Sequence, residues 1–223
     1  GAGGAGAAGA SGGAGASGAT TTTIRVHYPA PSGKKLTLRG DHGGLSWNAG
    51  VALAQGADDT WTFSTSAIDA ATEFKPLVDD TTWSRGPNFR VKPSTTVDVY
   101  PHFVKTSGDV VTYAKAFHSN KLPDDRTVWA YLPPTYVENA TYRAPVVYMH
   151  DGNNLFGLPG GFGDWKAAET MDAGAESGDI REAILIGSGN TPARIDEYTP
   201  TYDASEMAGG KGDAYVALLI DEL

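Results

Sequence analysis

Few side chains in this sequence can do covalent chemistry unaided. There are no cysteines and five histidines, which removes thiol catalysis, Cys-ligated zinc and disulfides. The G-x-S-x-G arrangement of a serine nucleophile occurs only at Gly9-Ala10-Ser11-Gly12-Gly13. That arrangement works when a strand enters and a helix leaves the serine; a Gly/Ala/Ser stretch supplies neither, so Ser11 is set aside. Asp151, Asp196, Asp203 and Glu206 are carboxylates without histidine at ligand spacing, so no metal is implied, and no cofactor either. Two other groups are better placed. His150-Asp151-Gly152-Asn153-Asn154 follows the apolar run Pro145–Met149, and Arg194, Glu197 and Tyr198 follow the apolar run Ala183–Gly187. Open α/β sheets bind ligands outside the C-terminal ends of their strands. Asp151, Asn154, Arg194, Glu197 and Tyr198 are therefore the candidate substrate contacts. Arg194 and Glu197, three residues apart, either form an ion pair or line a pocket. His150 reads as packed and hydrogen-bonded beneath an Asp-Gly turn.

The elements that must position these groups fall into two sets. Residues 20–104 hold short runs rich in β-branched and aromatic residues, such as Thr21–Tyr28, Lys35–Gly40, Thr60–Ser64, Glu73–Val78 and Thr95–Tyr100, broken by Gly, Pro, Asn and Asp. Runs at this spacing predict a β-sandwich. From 105 to 223 the pattern becomes α/β. Asp109–Phe117 and Arg126–Leu132 read as strands, the second halted by Pro133-Pro134. Pro145–His150 and Ala183–Gly187 are continuous apolar runs, as expected of strands buried on both faces. Asp164 to Gly178 reads as a helix capped by Asp164 and ended by glycine, and Asp213 to Leu223 opens another. Strands alternating with helices predict a mainly parallel sheet.

Composition narrows the functions. Residues 19–105 carry nine Lys/Arg and eight Asp/Glu, whereas residues 106–223 carry eight and 18, so nearly all of the net charge of −9 lies in the second part. A chain with no basic stripe is a poor ligand for a phosphate backbone, which argues against nucleic acid. No apolar run reaches the roughly 20 residues of a membrane span. Residues 1–18 are only Gly, Ala and Ser and cannot bury enough surface to offset ordering. Residues 1–19 thus read as a flexible tether. It resembles the spacer behind the processed N-terminus of exported bacterial proteins, often lipoproteins, which implies a secreted or cell-envelope location; an inter-domain linker is the other reading.

Two resemblances follow from longer segments. Gly43-Gly44-Leu45-Ser46-Trp47-Asn48-Ala49-Gly50-Val51, Thr60-Trp61-Thr62 and Phe74-Lys75-Pro76 through Trp83 to Asn88 resemble a starch-binding or glycogen-binding module. The resemblance implies sugar stacking on Trp47 and Trp83, with Lys75 and Asn88 reaching hydroxyls. Ig-like modules beside esterase domains also keep such tryptophans as core or interface residues. Arg126–Tyr136, Pro145–Phe156, and Ile186–Asn190 running on to Arg194–Pro200 resemble the esterase D-like family of α/β-hydrolases, which includes siderophore, feruloyl and acetyl-xylan esterases. That resemblance implies that the loop His150–Asn153 supplies one oxyanion-hole N–H, from Asn153 or Gly152. The other comes from the residue after the nucleophile.

The fold expected is therefore a β-sandwich followed by an incomplete α/β-hydrolase fold. The family reaction needs a serine elbow, an acid and a histidine in that order. None is found where the family places them, and the last helix lacks a glycine cap. This predicts that the catalytic serine lies in a C-terminal remainder of the same protein, and that the present chain alone is inactive. The expected function is hydrolysis of a carboxylic ester, on an acylated polysaccharide or a siderophore. The competing function is glycan binding with an inert α/β part.

Overall fold

In the computed structural model the described residues are 20–157 and 163–223; the tether expected over 1–19, with Ser11, lies outside them. Nine strands build the first part: β1 (Thr22–His27), β2 (Leu36–Gly40), β3 (Val51–Ala52), β4 (Ala54–Gln55), β5 (Thr60–Thr65), β6 (Thr72–Val78), β7 (Thr82–Trp83), β8 (Phe89–Val91) and β9 (Thr96–Val99). One sheet runs β4-β5-β1-β9 and the other β3-β2-β6-β7, with β8 also on β6. Period-two alternation explains the packing. In β1, Thr22, Ile24 and Val26 are buried while Arg25 is exposed. Ile24 and Val26 meet Leu36, Leu38, Trp61 and Phe74 in a single core. The sandwich expectation holds.

The second part is a four-stranded sheet, β10 (Asp109–Phe117), β11 (Arg126–Leu132), β12 (Val146–Met149) and β13 (Ile184–Ser188), ordered β10-β11-β13-β12. β11 runs antiparallel to both neighbours and β12 parallel to β13, so one pairing of the three is parallel among the described residues, against the mainly parallel sheet expected. The helices are α1 (Pro134–Glu138), α2 (Ala167–Ser177), α3 (Arg194–Tyr198) and α4 (Gly212–Asp221). The alternation of β11 assigns them to faces. Tyr131 and Trp129 pack with Leu155, Phe156 and the α2 residues Ala167 and Met171. On the other face Arg126 lies over the Tyr215 ring of α4, 5.5 Å from its centroid. This is a four-stranded mixed sheet with helices on both faces, an α/β arrangement.

Several local expectations are corrected. β12 is not buried on both faces: it is an edge strand, with Val146, Val147 and Tyr148 each 42–47% exposed. Its apolar run signals a partner strand, and among the described residues only β13 pairs with it. Pro133-Pro134 does more than stop β11, because Pro134 opens α1, where a missing N–H costs nothing. Asp164 does not cap α2. Its carboxylate instead accepts the N–H groups of Gly157 and Lys166 at 2.9 and 2.8 Å, and the helix begins only at Ala167.

The sandwich and the α/β part are tied through α1. The Glu138 carboxylate accepts the N–H groups of Phe103 and Val104, at 2.9 and 2.8 Å, and that of Lys105. The Tyr28 hydroxyl donates to it at 3.3 Å, and Asn139 Nδ2 donates to the His27 carbonyl at 2.6 Å. Charge-assisted bonds to three successive N–H groups fix the connecting segment firmly.

Candidate active site

The turn after β12 is shaped by two close contacts. Gly152 begins one 3₁₀ turn, Gly152–Asn154, and a Cβ added there would stand 2.5 Å from the carbonyl of Gly187 in β13. Gly187 is equally constrained, since its own Cβ would lie 3.0 Å from the Gly152 Cα. Only a glycine pair lets the turn press onto the sheet at this point. Among the described residues, the Gly152 and Asn153 N–H groups donate to no acceptor. Gly152 is buried and Asn153 partly so, and neither lines the cleft described below.

Asp151 sets the entry to that turn. Its φ of 53° is left-handed, a conformation that Asp adopts more readily than most residues. Three side chains hold it there. Arg194 donates from Nε and Nη2 to the two carboxylate oxygens, at 2.8 and 2.7 Å, Asn190 Nδ2 donates at 2.9 Å, and the Tyr198 hydroxyl lies 3.3 Å from Oδ1. The Asp151 N–H in turn donates to the Tyr198 oxygen at 3.2 Å. The fork of Arg194 matches the carboxylate in two parallel bonds, and its guanidinium sits 4.8 Å from the Tyr198 ring centroid. The residues expected past β13 thus reach back and clamp the turn past β12.

The clamp lowers the Asp151 carboxyl to about 2, chiefly through the hydrogen bonds from Arg194. Because the folded value is depressed, this contribution to stability is complete above the unfolded value of about 3.9 and is lost as pH falls through the folded one. The ¹³C shift of the Asp151 carboxyl is thus expected to titrate near pH 2, well below an ordinary aspartate. A midpoint near 4 would mean that the pair is open in solution.

A cleft of about 410 Å³ opens beside the clamp. Tyr148, Met149 and His150 from the end of β12 form one side, with Asp151, Arg194 and Tyr198; Trp165, 52% exposed, joins them from the loop before α2. His150 packs on the rings of Tyr198 and Tyr215, with centroids at 5.1 and 5.4 Å, and its Nδ1 is 3.1 Å from the Tyr215 hydroxyl. It is packed and hydrogen-bonded as expected, though still exposed. Burial pushes the Tyr198 hydroxyl well above its ordinary value, so it remains a neutral donor.

Of the candidates, Gly152, Asn153, Asn154 and Glu197 do not line the cleft. Glu197 is completely buried and pairs with Arg126, not Arg194, through bonds of 3.2 and 3.0 Å. In the five-residue α3, Arg194 turns to the turn after β12 while Glu197 turns under the sheet. Asn154 is 2% exposed, inside the 3₁₀ turn, with its Oδ1 unpartnered. Trp165 was missed by sequence reasoning because it precedes a helix without belonging to any periodic pattern. Among the described residues no group of three His, Cys, Asp or Glu is placed to hold a metal ion.

On the sandwich, Trp47 and Trp83 come together, with ring centroids 6.3 Å apart and 28° between planes, and Arg39 lies 5.2 Å from the Trp83 centroid. They are 36% and 41% exposed. Trp83 stands opposite Leu77 in the ladder, two residues from Lys75. Lys75 Nζ donates to the Gly86 carbonyl and Asn88 Nδ2 to Glu73 at 3.1 Å. Lys75 and Trp83 lie on strands of one sheet, whereas Trp47 and Asn88 lie in loops beside it; the tryptophans remain partly exposed, and Lys75 and Asn88 are hydrogen-bonded within the protein.

With this geometry in place, the chain can be set beside known families and structures. Residues 119–223 match the Esterase family model. The esterase-matching region contains the turn, the clamp and the cleft. No curated protein matches the chain. Similar solved structures include a ferulic acid esterase, 19% identical with a TM-score of 0.33, covering 53% of this chain and 41% of that one. A thermostable esterase is 9% identical, with a TM-score of 0.32 and coverage of 92% and 66%. A glycoside hydrolase family 15 glucoamylase from Hypocrea jecorina is 21% identical, with a TM-score of 0.29 and coverage of 36% and 16%. The chain spans less than two thirds of the length of each.

Proposed function

We propose that the α/β part belongs to a carboxylic ester hydrolase working through a serine acyl-enzyme, with Gly152 and Asn153 presenting N–H groups to the oxyanion. The observation that carries this reading is the free pair of N–H groups at the C-terminal end of β12, held by the Arg194–Asp151 clamp within a region matching the Esterase family. Donors fixed before the reaction stabilise developing charge without reorganising. Among the described residues the serine nearest the site in sequence, Ser188, is fully buried at the end of β13 and closed to substrate. In this proposal the nucleophile lies outside residues 1–223, on a strand that pairs with the open edge of β12. Val146, Val147 and Tyr148 offer it an apolar edge with free backbone groups. A fluorophosphonate probe applied to protein carrying that segment should label one serine beyond Leu223. Labelling or ester hydrolysis by residues 1–223 alone would overturn the assignment.

A second reading concerns the sandwich. The paired, exposed Trp47 and Trp83 support glycan binding, since an indole face covers the C–H face of a pyranose. This favours an acylated polysaccharide over a siderophore as the ester, and export, as the tether suggested, would bring the protein to it. In affinity electrophoresis on xylan and α-glucan gels, Trp83→Ala should abolish retardation. If the unaltered protein runs unretarded on both, the sandwich is a spacer.

A further inference from the structure

A second cleft, of about 470 Å³, lies where the sandwich meets the α/β part, and it shares no lining residue with the cleft at His150. Arg85, Pro87 and Tyr100 face it from the sandwich, Tyr142, Ile180 and Arg181 from the other side. Most charged groups around it are engaged. Arg90 holds Glu73 at 2.5 Å, Asp98 holds His27 at 2.7 Å, and Glu182 accepts the Thr135 N–H at 3.4 Å. Two guanidiniums are held more loosely. Arg181 makes no ion pair among the described residues, and Arg85 pairs with the Glu176 carboxylate only at 3.8 Å, its buried Nε making no hydrogen bond. Between them Tyr100 and Tyr142 set their rings 5.3 Å apart at 43°.

The cleft lies close to the tryptophan pair in sequence. Arg85, which lines it, follows Trp83 by two residues, past the end of β7, and its N–H donates to the His102 carbonyl at 2.9 Å. Neither Trp47 nor Trp83 lines the cleft itself.

We propose that the inter-domain cleft binds a carboxylate-bearing sugar residue of a polysaccharide whose neighbouring residues rest on Trp83, the carboxylate lying between Arg85 and Arg181. The second half of this statement rests on the glycan reading of the platform; the first half does not. Aromatic rings and the faces of Pro87 and Ile180 suit a ring with C–H faces, and planar guanidiniums suit a carboxylate. The volume lies in the range of small-ligand sites, about 300–1,000 Å³.

Titration calorimetry on the whole chain tests this with three probes: a linear xylo-oligosaccharide, the same oligosaccharide with one glucuronosyl branch, and free glucuronate. The branched form should bind about 10-fold more tightly than the linear one, as expected for one added charged hydrogen bond. Arg181→Ala and Arg85→Gln should each erase that preference, whereas Trp83→Ala should weaken both oligosaccharides alike. Arg181 is exposed and unpaired, so its variant should unfold at the same temperature as the unaltered chain. Equal binding of linear and branched forms overturns the carboxylate site while leaving the platform standing. Binding of free glucuronate that Arg181→Ala abolishes, without binding of either oligosaccharide, supports the cleft and removes the platform. No binding of any probe overturns both.

Discussion

Glu197→Gln should destabilise the α/β part by about 3–5 kcal/mol, the usual effect of removing one member of a buried ion pair. Glu197 and Arg126 have no exposed side-chain surface, and two hydrogen bonds join them. Glutamine keeps the shape but leaves the guanidinium charge uncompensated, above the Tyr215 ring and with its Nε already unpartnered. The ring offers a weak substitute, on the order of 1–2 kcal/mol when desolvated. Urea unfolding followed by near-ultraviolet circular dichroism measures the effect. Replacing both partners by apolar residues of similar volume, Arg126→Met with Glu197→Leu, should restore most of the loss, because no buried charge is then left alone. A single variant within about 1 kcal/mol of the unaltered protein would show that water reaches the pair. The same helix carries Arg194, so loosening α3 should also release the clamp on Asp151.

The pair shows where sequence reading succeeds and where it stops. Alternation in Thr22–His27 and the apolar runs at Val146–Met149 and Ile184–Ser188 were legible because burial imposes a period on the residues themselves. The partner of Glu197 was not, because Arg126 is 71 residues away and nothing local distinguishes it from a surface arginine at a strand's start. Arg194 was correctly placed at the strand ends, but its partner Asp151 lies across the sheet edge, a contact made by topology alone. Asp164 shows the same limit on a smaller scale. An aspartate before a helical pattern suits a cap, yet its carboxylate accepts the Gly157 N–H instead. The apolar run of β12 was read rightly as strand and wrongly as enclosed, since its composition fits a pairing that β13 supplies on one side only.

Gly152→Ala should lower kcat on a p-nitrophenyl ester by about 10²- to 10³-fold in protein that carries its nucleophile, the usual effect of losing one oxyanion donor. The cause would be position, since alanine retains the N–H. Its Cβ would fall 2.5 Å from the Gly187 carbonyl and 2.9 Å from the Trp129 ring, both parts of the sheet that cannot yield, so the turn must lift. A shift of about 1 Å in a catalytic group is enough to cost roughly 10²-fold. Asn153→Ala is the matching control, because it removes only a side chain whose Oδ1 lies 3.4 Å from the Asn190 nitrogen and keeps the backbone donor in place; it should stay within about tenfold of the unaltered rate. Arg194→Ala tests the clamp separately. With the fork on Asp151 gone, kcat should fall, and the thermal unfolding temperature should fall too at neutral pH but not near pH 2, where the Asp151 carboxyl takes up its proton. If Gly152→Ala folds normally and keeps kcat within about twofold, the oxyanion is held elsewhere, and the free N–H groups after β12 have no part in the reaction.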